Sequence, residues 1–144
     1  MHIERMKRDD CEVVSEIEKK CFSDPWSKES FEAEFNLDYA FYFAAYEENE
    51  VVGYIGVHNT PWEGEITMIA VHPAYRRRGI AQKLLETLIA FEKEKGVEQI
   101  NLEVRESNLP ALKLYENCGF VRNGIRKNYY KIPVENAILM SLVF

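Results

Sequence analysis

The order of apolar and polar positions along the chain predicts alternating strands and helices. Residues 2–6 open with a short strand pattern. Asp9 and Asp10 then offer an N-cap to a helix whose apolar stripe runs through Val13, Val14, Ile17 and Cys21. Pro25 ends that pattern, and Ser27, Ser30, Phe31 and Phe35 fit a second, shorter helix. Residues 39–46 and 51–58 read as strands flanking the polar turn Glu47-Glu48-Asn49-Glu50, hence a hairpin. A further strand over residues 64–72 closes at Pro73. From Gly79 a long helix sets Ile80, Leu84, Leu85, Leu88 and Phe91 on one face and stops at Gly96. Residues 99–105 alternate, with Ile100, Leu102 and Val104 on one side and Asn101, Glu103 and Arg105 on the other. Ser107 or Asn108 caps a last helix, which tolerates Pro110 in its first turn and ends at Gly119. Strands near residues 120–130 and 136–144 complete a mixed α/β domain over residues 1–144, without linker or repeat.

Composition changes this picture little. Of the 144 residues, 47% are hydrophobic and 29% charged, the balance of a globular chain able to bury a core without disulfides or metal. The net charge of -6 works against general attraction to nucleic acid and suits a basic peptide or an amine better. Glu34, Glu47 and Glu48 could favour such a peptide, although acidic clusters are usually only solvated. Cys11, Cys21 and Cys118 form no close pair, and His2, His58 and His72 are scattered. No metal site is expected, therefore, and the odd cysteine count with no signal-like start points to a reducing cytoplasm. No apolar run is long enough to span a bilayer, so no membrane partner is expected.

The chemistry begins where a strand runs into Arg76-Arg77-Arg78-Gly79-Ile80-Ala81 and a helix follows. The first N–H groups of a helix have no partners within it and carry partial positive charge, which suits a phosphate. Gly79 permits unusual backbone angles and close approach of an anion, and Ala81 leaves similar room. Three readings stay open for the residues alone: an anion cradle, a solvated surface turn, or a short nucleic-acid contact. Neither a P-loop nor a dinucleotide-binding G-x-G-x-x-G is present.

The wider stretch, Glu65 through Val71-His72-Pro73 to Ala81, resembles the acetyl-CoA motif of the GNAT superfamily of N-acetyltransferases. That motif reads [Q/R]-x-x-G-x-[G/A], and Arg76, Gly79 and Ala81 fill its defined positions. The resemblance covers nearly the whole chain. It implies a central mixed, mostly antiparallel twisted sheet of about seven strands flanked by about four helices, an α/β (α+β) fold. It implies that main-chain groups of Ile69, Ala70 and Val71 pair with the pantetheine arm of acetyl-CoA. One of their N–H groups would also polarise the thioester carbonyl. Arg76, Arg77, Arg78, Gly79, Ile80 and Ala81 would hold the pyrophosphate, and Asn108 would contact the donor near its reacting end.

Glu103 and Tyr115 carry the remaining chemistry. From the residues alone, Glu103 is either a solvent-facing strand residue, with Arg105 as an ion-pair partner, or a functional carboxylate. Tyr115 is either a core tyrosine or a proton donor. Acetyl transfer has a use for both, since a carboxylate accepts the proton of the attacking amine and a phenol eases departure of the thiolate. Five segments resemble the ribosomal-protein-alanine N-acetyltransferase branch of the superfamily. They begin at Phe22-Ser23-Asp24-Pro25-Trp26-Ser27, Leu102-Glu103-Val104, Leu114-Tyr115-Glu116, Arg126-Lys127-Asn128-Tyr129-Tyr130 and Glu135-Asn136-Ala137. In that branch the general base aligns with Glu103, the general acid with Tyr115, and the acceptor is the N-terminus of a small-subunit ribosomal protein. Trp26, Tyr129 and Tyr130 either line the acceptor groove or pack the loop after the first helix against the last hairpin. The competing readings are an acetyltransferase for lysine or a small amine, and a non-catalytic acyl-CoA-binding module.

Overall fold

Aromatic and β-branched residues crowd two neighbouring segments, and these form the hairpin on which the rest is built: β2 (Ala40–Glu47) and β3 (Glu50–Asn59). In this computed structural model, which describes residues 1–144, β1 (His2–Arg5) extends the hairpin on one side and β4 (Glu63–Val71) on the other. β5 (Gln99–Arg105), β6 (Val121–Lys131) and β7 (Val134–Val143) finish one seven-stranded sheet in the order β1-β2-β3-β4-β5-β7-β6. Every pairing is antiparallel except β4 with β5. That parallel pairing covers only Glu63 with Gln99, Gly64 with Ile100 and Glu65 with Asn101. Beyond it the two strands part.

Helices cover the two faces unequally. α3 (Ile80–Lys95) and α4 (Leu109–Asn117) lie on the face where Leu84, Leu85, Leu88, Ile100, Leu102 and Met140 are buried together. α1 (Cys11–Cys21) and α2 (Lys28–Glu34) lie on the other, over Val14, Ile17, Phe31, Tyr42 and Tyr54. Each such side chain contributes about 1.5–3 kcal/mol by leaving water, so both helical layers are firmly docked. A one-residue bulge at Thr67 shifts the β3–β4 register. Beyond it Ile69 and Val71 face the α3 layer, while Met68 and Ala70 face α1 and α2.

The predicted elements are all present, with bounds moved by one or two residues. The phase of α1 differs, however. Val13 is 45% exposed, and the inward face is Cys11, Val14, Ser15, Ile17 and Glu18. Asp10 stands at the N-cap but makes no cap bond: its Oδ2 accepts the Lys7 N–H at 3.0 Å and the Tyr46 hydroxyl instead. Ser27 caps α2 as expected, accepting the Ser30 N–H at 3.1 Å. Of the two candidates for α4, Asn108 is the cap. Glu34, expected to be solvated, is buried and holds Tyr42 and His58. Glu92, on α3 beside half-buried Phe91, is fully buried as well.

Candidate active site

The parting of β4 and β5 leaves main chain without a neighbouring strand. His72 donates its N–H to Val52 C=O at 2.8 Å, which sets the alternation of the β3–β4 ladder. Ala70 therefore points its main-chain groups at β3, and Ile69 and Val71 point theirs into the gap. Val71 C=O is met there by Arg76 Nε at 3.4 Å and by the Cys21 thiol at 3.5 Å. An extended ligand laid in the gap would meet the remaining Ile69 and Val71 groups as a strand would.

At the end of β4 the chain turns through Pro73–Tyr75 into α3. Gly79 is the N-cap, with φ 75° in the left-handed region, and a Cβ there would meet nothing within 4 Å. The N–H groups of Gly79, Ile80, Ala81 and Gln82 find no acceptor in the protein. Open space, four free donors and the positive end of a long helix together fit an anion. The three arginines divide the work around it. Arg76 folds back over Val71 and Cys21, Arg78 stacks on Tyr75 at 5.0 Å, and Arg77 adopts φ 65°. Gln, rather than another small residue, follows Ala81, so room at the helix start ends there.

Glu103 lies on one face of β5, and Tyr115, on α4, packs in the layer that covers the other. Tyr115 is buried in the α3–α4 layer beside Phe120, their ring centroids 5.9 Å apart. Burial pushes its phenol well above the ordinary value, and Tyr130 adds to the effect. Its hydroxyl makes no hydrogen bond within the protein, and it is not one of the sealed, unpartnered oxygens. Glu103 sits on the other face, its side chain 17% exposed, with Oε1 3.4 Å from Arg126 Nε. Its Oε2 is buried and has no donor.

Arg105, the ion-pair partner expected for Glu103, is committed elsewhere. It lies 3.2 Å from Glu135 and donates to the carbonyls of Pro133 and Ile132 at 3.0 and 2.8 Å. Its guanidinium also covers the Tyr130 ring at 4.3 Å. Arg105 thus fastens the β6–β7 turn to β5 and leaves Glu103 to Arg126 on the neighbouring hairpin. The reason is topological: β7 lies between β5 and β6, and a two-residue widening of β6 between Arg126 and Tyr130 shifts its register on β7.

Tyr129 approaches the Glu103 carboxylate as a potential donor, which raises its phenol, with lost hydration second. Glu103 Oε2 itself stays unpartnered. Tyr130 is pushed up to about 12, by burial first and then by Glu103. On β4, at the last residue paired with β5, lost hydration and then the charge of Glu103 raise the carboxyl of Glu65. Periodicity gave no sign of Glu65, because its nearness to Glu103 depends on the short parallel pairing.

Trp26 belongs to the opposite wall. Its ring packs on Phe31 at 5.5 Å, half-buried at the edge of the α1–α2 core. No ring contact joins it to Tyr129 or Tyr130, which meet each other edge to face at 5.1 Å. The segments carrying them do meet: Ser23 donates its hydroxyl to Ile132 C=O. Asn108 uses its Oδ1 on the Ala111 N–H at 3.3 Å, so only its amide nitrogen is free to face a ligand.

The sequence profile of the acetyltransferase (GNAT) family matches residues 11–120. The chain belongs to the GNAT family. Among its relatives, the N-alpha-acetyltransferase RimI of Mycobacterium tuberculosis is 36% identical over 141 residues, covering 94% of this chain and 87% of that one. The crystal structure of the ribosomal-protein-S18-alanine N-acetyltransferase from Escherichia coli matches with a TM-score of 0.91 at 32% identity. It covers 99% of this chain and 92% of that one. The crystal structure of a Bacillus anthracis acetyltransferase in complex with acetyl coenzyme A matches 78% of this chain and 66% of that one. Its TM-score is 0.69 and its identity 29%. The mixed, mostly antiparallel seven-stranded sheet with four α-helices is the GNAT fold that the motif implied.

Proposed function

We propose that this GNAT acetyltransferase transfers the acetyl group of acetyl-CoA to the N-terminal α-amino group, an alanine, of a small-subunit ribosomal protein in the cytoplasm. The observation that carries the reading is the opposed placement of Glu103 and Tyr115 on the two faces of β5, beside an unpaired strand edge. The names of the relatives above point the same way.

The donor fits residues of this chain. The Gly79–Gln82 donors, with Arg77 and Arg78 at their entrance, hold the pyrophosphate, and the Ile69 and Val71 main chain pairs with the pantetheine arm. Asn108 offers its free amide nitrogen close by. Bound there, acetyl-CoA supplies an acetyl group activated as a thioester. A free N–H of the β4 edge donates to the thioester oxygen as negative charge develops on it. Glu103, directly or through a water, takes the proton of the attacking amine. Tyr115 donates its proton to the departing sulfur. No residue of the chain becomes acylated. Trp26 on one wall and Tyr129 and Tyr130 on the other enclose the acceptor, and recognition rests on the peptide N-terminus without RNA.

The test is turnover. Incubation with acetyl-CoA and an alanine-starting ribosomal peptide is expected to release one thiol per acetylated N-terminus. Full activity on a polyamine or lysine side chain, with none on the peptide, would sink the proposal. Glu103→Gln is expected to lower kcat by roughly 10²–10⁴, the usual contribution of a general base.

A further inference from the structure

Glu18 lies on the inward face of α1 and is 4% exposed. A carboxylate in such a place costs several kcal/mol unless its oxygens are satisfied. Both are. Oε1 accepts the Tyr54 hydroxyl, and Oε2 accepts the main-chain N–H of Trp26 at 3.3 Å. Glu34 and Glu92, the other buried carboxylates, bond only to side chains. Glu18 alone among them reaches from the core to hold loop backbone.

Both partners lie in the α1–α2 layer, where Trp26 and Tyr54 each pack on Phe31. Trp26 belongs to residues 22–27, the wall facing Tyr129 and Tyr130. Tyr54 stands opposite Ala70 in the β3–β4 register, at the strand whose free edge faces the gap. A single carboxylate thus ties residues 22–27 to β3, the strand that β4 is paired with. The loop is held elsewhere by the Cys21 thiol on Val71 C=O at its start, by Ser23 on Ile132 C=O and by Ser27, which caps α2. None of these bonds the main-chain N–H of Trp26, which Glu18 takes.

We propose that Glu18 is a positioning residue for acceptor binding, holding residues 22–27 at a set distance from the β4 edge. The proposal rests on reading those residues as one wall of the acceptor groove. Without the tether the wall is free to move, and the acceptor amine loses its fixed approach to the thioester, while the donor contacts at Gly79–Gln82 are untouched.

The test compares Glu18→Leu and Glu18→Gln with the parent protein in steady-state kinetics, using the amine acceptor that the parent turns over. Glu18→Leu removes both bonds and is expected to raise the acceptor KM about tenfold, with the acetyl-CoA KM within about twofold of the parent value. Glu18→Gln can accept from Trp26 through its amide oxygen and donate to Tyr54 through its nitrogen. It is expected to restore the acceptor KM to within roughly threefold. Hydrogen exchange at the Trp26 amide, which needs no turnover, is expected to be fast in the Leu variant and slow in the Gln variant. An acceptor KM that stays unchanged in Glu18→Leu overturns the proposal, as does an equal rise in both KM values. Should Glu18→Leu not fold, Glu18→Asp replaces it. That side chain is one methylene too short to reach both partners, and the same acceptor-only rise is expected. Failure of the parent protein on an alanine-starting peptide would overturn the ribosomal acceptor instead, leaving the Trp26 exchange result to decide on Glu18.

Discussion

The proposed proton donor Tyr115, on α4, and the proposed proton acceptor Glu103, on the opposite face of β5, must answer different pH demands. The acceptor amine of a peptide has a pKa of about 8, so the neutral nucleophile grows as pH rises through that value. Tyr115 must keep its proton over the same range. Burial raises its phenol above the ordinary tyrosine value, so the acid form persists to higher pH than an exposed tyrosine would allow. The expected profile of kcat/KM therefore climbs through about pH 8 and shows no fall near pH 10, the ordinary tyrosine range. A decline centred there would mean that an unshifted group supplies the proton. Tyr115→Phe is expected to lower kcat by roughly 10²–10⁴ while acetyl-CoA binding, measured by calorimetry, changes little. The candidate roles of Glu103 and Tyr115 were legible in the sequence through motif resemblance. The carboxylate's surroundings were not, because Arg126, Tyr129 and Glu65 reach it across three strands whose order no local pattern encodes.

At the scale of elements, helix starts and burial phases decide most. Gly79 has room for a Cβ but stands at φ 75°, so Gly79→Ala strains the backbone by about 1–2 kcal/mol without a clash. Its expected effect is a raised acetyl-CoA KM with an unchanged acceptor KM, the mirror image of Glu18→Leu. The α3 glutamate poses the opposite problem. Glu92 Oε1 accepts from Asn59 Nδ2 at 2.8 Å, while Glu92 Oε2 and Asn59 Oδ1 are both buried without partners. Burial raises this carboxyl above its ordinary range. A carboxyl whose folded pKa is raised costs no stability below its unfolded value of about 4.3, and the cost grows as pH climbs from there until it is complete above the folded value. Glu92→Gln supplies a neutral donor to Asn59 Oδ1 and is expected to raise Tm at pH 7 to 8. The gain, about 1–3 kcal/mol, should fade as pH falls toward 4, and a thermal melt at each pH measures it. Periodicity found α3 and α1 from their apolar positions alone. It set Val13 beside the buried Val14 and Ile17, and it had no means of seeing that Glu18 and Glu92 point inward.

For the whole molecule, the class of fold and the hairpins were readable, since alternation and turn chemistry are local. The insertion of β7 between β5 and β6, and the early end of the β4–β5 pairing, are long-range choices. They make the site. Acetyl-CoA is expected to slow hydrogen exchange at the Ile69 and Val71 amides and to raise Tm with its concentration, as any ligand of the folded state does. Desulfo-CoA serves equally in that measurement, and exchange unaffected by either would place the donor elsewhere.

The three-residue contact between β4 and β5 also changes how many rims the sheet has. An open sheet ordinarily exposes two, here β1 and β6. This one exposes four, because each lip of the parted strands is a rim of its own, and unpaired rims recruit other chains. The inner pair is guarded in ways the outer pair is not. The bulge at Thr67 twists one lip, the arginine folded onto Val71 C=O blocks its end, and the β6–β7 turn overhangs the other. The same groups that shape a slot for one extended guest therefore keep out a stray strand. A variant that widens the slot is expected to aggregate before it loses its fold, and acetyl-CoA is expected to suppress that aggregation, followed by light scattering.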